Sequence, residues 1–120
     1  MNVRSILFTL LLCVPSLMFA GIAGGYRVKG TDPDGTTYTG SLLIQKEACG
    51  VYSFAWNLDD GSNYLGEAIQ QKNGLSVAFD SSGSRPGVQS YKISKNRIEG
   101  PFIYIGDTSK GYEIAKKVTR

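Results

Sequence analysis

Few residues in this chain can do chemistry, and the first constraint is an absence: among 120 residues there is no histidine. Histidine is the side chain that ionises near neutral pH and the commonest neutral metal ligand. Its absence excludes a Ser-His-Asp or Cys-His nucleophile. Cysteine is scarce too, with only Cys13 and Cys49. Cys13 lies in an apolar N-terminal run. Cys49, with no histidine to take its proton, reads as a buried thiol packed as a small hydrophobe or as an intermolecular partner, and the first is preferred. Carboxylates come in two close pairs, Asp32/Asp34 and Asp59/Asp60. Paired carboxylates across a cleft hydrolyse glycosides, but both pairs run into a glycine, Gly35 and Gly61, where Asp caps its own backbone in a turn. An envelope hydrolase would need a pair such as Asp60 with Glu67 or Glu113 facing one pocket. Asp32-Pro33-Asp34-Gly35 also echoes the start of a calcium loop, but the bidentate Glu in register is missing. The expectation is therefore a non-enzymatic chain with no catalytic residue, no metal and no cofactor.

Aromatic residues carry the richer signal, with seven Tyr, five Phe and one Trp. Most of those beyond residue 20 fall on alternate positions that share one face of their strands. Two readings follow. The rings pack a solid core, or Tyr38, Trp56 and Tyr64 wall a small cavity whose polar contacts are tyrosine hydroxyls. In the second reading Tyr91 also points inward and Arg85 sits on a loop at the rim. The candidate ligand-binding residues are thus Tyr38, Trp56, Tyr64, Tyr91 and Arg85.

These side chains need strands to position them, and the strands announce themselves by a repeat. Gly24, Tyr26 and Val28 recur 26 positions later as Gly50, Tyr52 and Phe54; Asp34-Gly35 recurs as Asp60-Gly61, and Tyr38 and Gly40 as Tyr64 and Gly66. Each unit reads as strand, Asp-Gly turn, strand, the mark of a repeated supersecondary unit. Period-two alternation continues to the end, broken by turn signals every 8 to 14 residues. It predicts strands over 24–29, 36–45, 51–58, 63–70, 75–79, 88–94, 97–105 and 111–116. Residues 80–87, rich in Ser, Gly and Pro, form the longest irregular stretch and divide the sheet into halves. Gly40, Gly66 and Gly100 interrupt strands where a bend or a close backbone approach is needed. Pro101 removes a ladder donor, so a bulge or an unpaired position is expected there. Eight short strands in chain order make an all-β antiparallel up-and-down meander. Closure into a barrel removes its exposed edges; a curved open sheet or two-sheet sandwich is the alternative. Eight strands leave room for one small ligand at most.

The N-terminus reads as a secretory signal peptide. Arg4 is followed by an apolar, uncharged run over 6–20 and then by small residues, too short a run for a membrane span. Cleavage after Ala20 or Ala23 leaves a single β domain over 24–116 and a short basic tail over 117–120. Losing Arg4 from 13 basic residues leaves 12 against 10 acidic, a net charge of +2, too small to argue for nucleic acid. A membrane barrel is disfavoured because the outward row (Arg27, Lys29, Glu67, Lys92, Glu99) wants water. The expected location is the periplasm or outside the cell.

The segment Gly24-x-Tyr26-x-Val28-x-Gly30-Thr31-x-Pro33-Asp34-Gly35-x-x-Tyr38-x-Gly40 resembles a group of small exported bacterial β-barrel-like proteins, mostly uncharacterised and loosely labelled fibronectin-binding. Tyr52-x-Phe54-x-Trp56, Tyr64-x-Gly66, Leu75-x-Val77-x-Phe79, Ile98-x-Gly100 and Gly111-Tyr112-Glu113 extend the resemblance over nearly the whole exported region. The chain departs from the pattern at Pro101-Phe102 and at Glu67. The resemblance implies an exported binding or adhesion protein and supplies no active site. The expected partner is a small apolar ligand inside the barrel, or an envelope or host protein met through the loops, as an adhesion or inhibitor module would meet it.

Overall fold

The structure, a computed structural model, describes residues 21–118; the segment expected to be a signal peptide, residues 1–20, and the last two residues of the expected basic tail lie outside the described residues. Eight antiparallel strands follow one another around a closed barrel: β1 (Gly24–Thr31), β2 (Thr37–Ala48), β3 (Val51–Leu58), β4 (Asn63–Gln71), β5 (Gly74–Ser81), β6 (Gly87–Ser94), β7 (Arg97–Tyr104) and β8 (Gly111–Lys117). The ring is sealed by β1 against β8, with Tyr26 opposite Lys117 and Thr31 opposite Tyr112. The up-and-down meander and its closure are as expected, and the sandwich is excluded.

Burial alternates residue by residue. In β3, Tyr52, Phe54 and Trp56 are buried while Asn57 is exposed; in β6, Gln89 and Tyr91 are buried while Ser90 and Lys92 are exposed. Successive side chains on a strand point to opposite faces, so one row of each strand fills the lumen and the other meets solvent. The outward row is the polar one anticipated: Arg27, Lys29, Glu67 and Lys92 are exposed. Among the described residues no helix is long and apolar enough to cross a membrane.

The two Asp-Gly turns are built alike. Gly35 N–H donates to Asp32 O (2.8 Å) and Gly61 N–H to Leu58 O (2.9 Å). Asp34 Oδ1 accepts from the Thr36 N–H and hydroxyl, and Asp60 Oδ1 from those of Ser62. Gly35 and Gly61 have φ of 93° and 94°, a region that side chains disfavour. Hydrogen bonds from Thr36 hold the Asp34 carboxyl below its usual pKa, and those from Ser62 do the same for Asp60.

Three expectations need correction. Residues 80–87 do not divide the sheet: β5 and β6 pair directly, Phe79 opposite Gly87 and Leu75 opposite Tyr91, leaving a loop only over 82–86. Ile105, expected to end the seventh strand, is an exposed turn residue. Cys49 is not a buried thiol; it lies half-buried in the β2–β3 turn, beyond the last core position, and is not free. The irregularity expected at Pro101 is present without a bulge. The β6–β7 register is the same on either side of it, and Ser90 and Tyr91 form no ladder pair with Gly100 and Pro101. Gln89, buried on the inner row, fills the gap: its Nε2 donates to the carbonyls of Gly100 (3.0 Å) and Pro101 (3.1 Å) and to Ser90 O (2.9 Å). A Cβ on Gly100 would lie 1.9 Å from Ser90 O, so the two strands meet here too closely for any side chain.

Candidate functional site

In an up-and-down barrel the turns alternate between ends, so the β1–β2, β3–β4, β5–β6 and β7–β8 turns gather at one rim. At that rim the lumen opens into a cavity of about 270 Å³ lined by Tyr38, Trp56, Tyr64, Phe79, Phe102 and Tyr104, with Asp32, Asp60, Ser62 and Arg85 at the mouth and Gln89 and Glu113 deeper. At the opposite end Ile22 is buried, and its carbonyl accepts from Tyr26 Oη at 2.6 Å. Burial, with Tyr52 nearby, pushes the Tyr26 hydroxyl up to about 12.

The cavity exists because glycine faces aromatic across the strands. Gly30 pairs with Tyr38, Gly87 with Phe79 and Gly111 with Phe102. A Cβ on these glycines would come within 2.2 to 2.4 Å of the partner ring. Each ring therefore lies over its glycine neighbour along the wall. The rings meet edge to face: Phe79 contacts Trp56, Tyr64, Phe102 and Tyr104 with centroids 5.8 to 6.3 Å apart. These geometries suit the ring quadrupoles.

Glu113, on the inner row of β8, is the polar centre. It is 3% exposed, yet three donors converge on it. Tyr38 Oη donates to Oε1 at 2.6 Å, Trp56 Nε1 to Oε2 at 3.1 Å, and Tyr91 Oη also donates to Oε2. A buried carboxylate is tolerated when hydrogen-bonded in this way. Burial raises the Glu113 pKa, and the three hydrogen bonds pull it back only in part. Tyr38 and Tyr91 are driven up, first by burial and then by the Glu113 charge. At the mouth, Tyr104 Oη donates to Asp32 Oδ1 at 3.1 Å, and the Arg85 guanidinium lies over the Tyr104 ring, 3.7 Å from its centroid. Burial is again the chief cause of a raised Tyr104 pKa.

The structure brings Tyr38, Trp56, Tyr64 and Arg85 together on the cavity. Tyr91 does not line it; it lies one layer below, stacked on Phe54 at 5.9 Å and tied to the cavity through Glu113. Sequence reasoning named Glu113 only as a possible half of a hydrolytic pair and overlooked Gln89. A glutamate in register with Gly111 and Ala115 on one face of a strand was the available signal. Asp60 and Glu113 share the cavity, whereas Glu67 is on the outer face. Among the described residues no group of His, Cys, Asp and Glu is placed to hold a metal ion.

No protein-family profile and no curated protein matches the chain. Its fold is similar to that of designed barrels. A redesigned β-barrel, b11L5F_LGL, superposes with a TM-score of 0.73 at 15% identity, covering 81% of this chain and 91% of the other. A redesigned barrel, mFAP1, bound to DFHBI, gives 0.71 at 15% identity, covering 80% and 94%. A fluorescence-activating β-barrel designed de novo gives 0.67 at 14% identity, covering 81% and 94%. The likeness establishes the fold.

Proposed function

We propose that the protein is an exported, non-enzymatic binding protein that takes one small, largely apolar ligand into the turn end of its barrel. The observation that carries this reading is the 270 Å³ aromatic cavity with a hydrogen-bonded, buried Glu113 in its wall. Ligand sites are mostly apolar hollows with a few fixed polar groups, and ~300–1,000 Å³ is their usual size, so this one suits a small molecule. Designed barrels of similar fold were solved with DFHBI bound, which shows that such a framework accommodates a ligand. The signal-peptide reading of residues 1–20 and the resemblance to small exported bacterial proteins support export to the periplasm or the medium.

Hydrolysis is the weaker reading. Asp60 accepts from Ser62 within its own turn, and both oxygens of Glu113 already accept from aromatic donors. Adhesion through the loops is weaker as well, because Arg85 folds back onto Tyr104 instead of projecting. Native mass spectrometry of the protein isolated from its exporting host tests the proposal. A retained small molecule whose occupancy falls in Tyr64→Ala supports it. A bare monomer mass, with Trp56 fluorescence indifferent to small aromatic probes, overturns it.

A further inference from the structure

Resting on the binding function proposed above, we infer that the ligand is an organic cation: an amine or quaternary ammonium carried on a small apolar or aromatic body. The cavity combines what cation recognition requires. Six aromatic rings line it, and an aromatic face attracts a cation within about 6 Å of the ring centroid. Three carboxyl groups, Asp32, Asp60 and Glu113, share that lining with one basic side chain, Arg85.

Two further observations point the same way. The first is Arg85 itself. Its guanidinium lies 3.7 Å from the Tyr104 centroid, so the chain's own cation already occupies one ring of the enclosure. The second is the acceptor count at Glu113. A carboxylate offers about four acceptor positions. Two on Oε2 are taken by Trp56 and Tyr91, and one on Oε1 by Tyr38. The fourth belongs to Oε1, on a residue that lines the cavity. Every protein partner of Glu113 is a neutral donor, so the buried carboxyl lacks a counter-charge, and burial raises its pKa. An ammonium in the cavity supplies that charge and takes the open acceptor position. A neutral ligand takes only the second role, and an anion opposes the first.

Trp56, the single tryptophan, lines the cavity and donates to Glu113, so its emission reports on the site. Three probes of similar size separate the possibilities: 2-phenylethylamine (cation), 2-phenylethanol (neutral) and phenylacetate (anion), each titrated at pH 7 into the wild-type protein. We expect the amine to bind about tenfold more tightly than the alcohol, the scale of one desolvated cation–aromatic contact, and phenylacetate to bind most weakly. In Glu113→Gln the amine-to-alcohol ratio should fall several-fold, the aromatic rings and the two aspartates of the mouth keeping the remainder. In Arg85→Gln, an exposed position whose change does not threaten the fold, amine affinity should rise several-fold as the Tyr104 face is vacated. An alcohol that binds as well as the amine, or a stronger phenylacetate, overturns the cation inference while the cavity stands as a binding site. Silence from all three probes overturns the inference and the binding function together.

Discussion

Removing the acceptor at Glu113 isolates what its network is worth. In Glu113→Leu, Tyr91 Oη and Trp56 Nε1 lose the oxygen they share, and both residues are buried, at 2% and 5% exposure. An orphaned buried donor costs roughly 1–3 kcal/mol. Tyr38 opens on the cavity, where water replaces the lost oxygen, so two donors count, and the expected loss is about 2–6 kcal/mol. Against a domain stability of ~5–15 kcal/mol, that is a large fraction. Glu113→Gln behaves differently. The amide oxygen accepts from Trp56 and Tyr91 while its NH₂ donates to a rotated Tyr38 hydroxyl, so the expected change at pH 7 is within about 1 kcal/mol. The two variants also differ in pH response. The folded-state pKa of Glu113 is raised above its ordinary 4.5. Its contribution to stability is therefore fully present below about 4.5 and is lost as pH rises through the elevated folded value. Wild type minus Glu113→Gln should thus become more favourable to wild type on going from pH 7 to pH 4.5. Urea unfolding followed by Trp56 emission and far-ultraviolet dichroism measures both effects. A Leu variant within roughly 0.5 kcal/mol of wild type, the size of a neutral surface change, would refute the reasoning. So would a Gln variant as damaged as Leu, or a difference independent of pH.

Three further outcomes follow from the same geometry. Gly111→Ala puts a Cβ 2.4 Å from the Phe102 ring and 2.6 Å from Thr31 O; overpacking of this kind costs about 1–3 kcal/mol, read as a lowered Tm, and an unchanged Tm would refute it. Gln89→Leu strips Nε2 from the Gly100 and Pro101 carbonyls, so amide exchange should quicken in β6 and β7 before other strands, and uniform protection would count against the role assigned to Gln89. Gly61→Ala, at φ 94°, should cost roughly 1–2 kcal/mol by urea unfolding. Gly83→Ala, an exposed loop position with no positive φ, should cost much less, and equal losses would refute the strain argument.

The sheet was legible because its signals are local. Alternation in Val51–Leu58 and the Asp-Gly pairs at 34–35 and 60–61 depend on neighbours two to four residues away, and strand bounds came out within a few residues. Tyr38, Trp56 and Tyr64 were legible by parity alone. Glu113 and Gln89 were not, because their roles are set by residues far along the chain. Trp56 and Tyr91 give Glu113 its partners, and Pro101 gives Gln89 its task. Whether the rings filled the lumen or walled it depended on which strand faced which, since Gly111 makes room only for the strand carrying Phe102. Cys49 was misjudged because its apolar character was weighed without its place in a turn, beyond the last inward position of β2.

The strand that supplies Glu113 is also the one that closes the ring. Seven of the eight strand pairs join sequence neighbours and zip locally, whereas β1 with β8 joins the two ends of the described chain. Bringing distant segments together carries the largest loop entropy, so such pairings are the slow part of β-rich folding. Without that seam the sheet has two open edges, and its aromatic face is uncovered. Completing the wall and taking the carboxyl of Glu113 out of water are then one event. The aromatic cavity is thus enclosed by the same pairing that joins the two ends of the sheet.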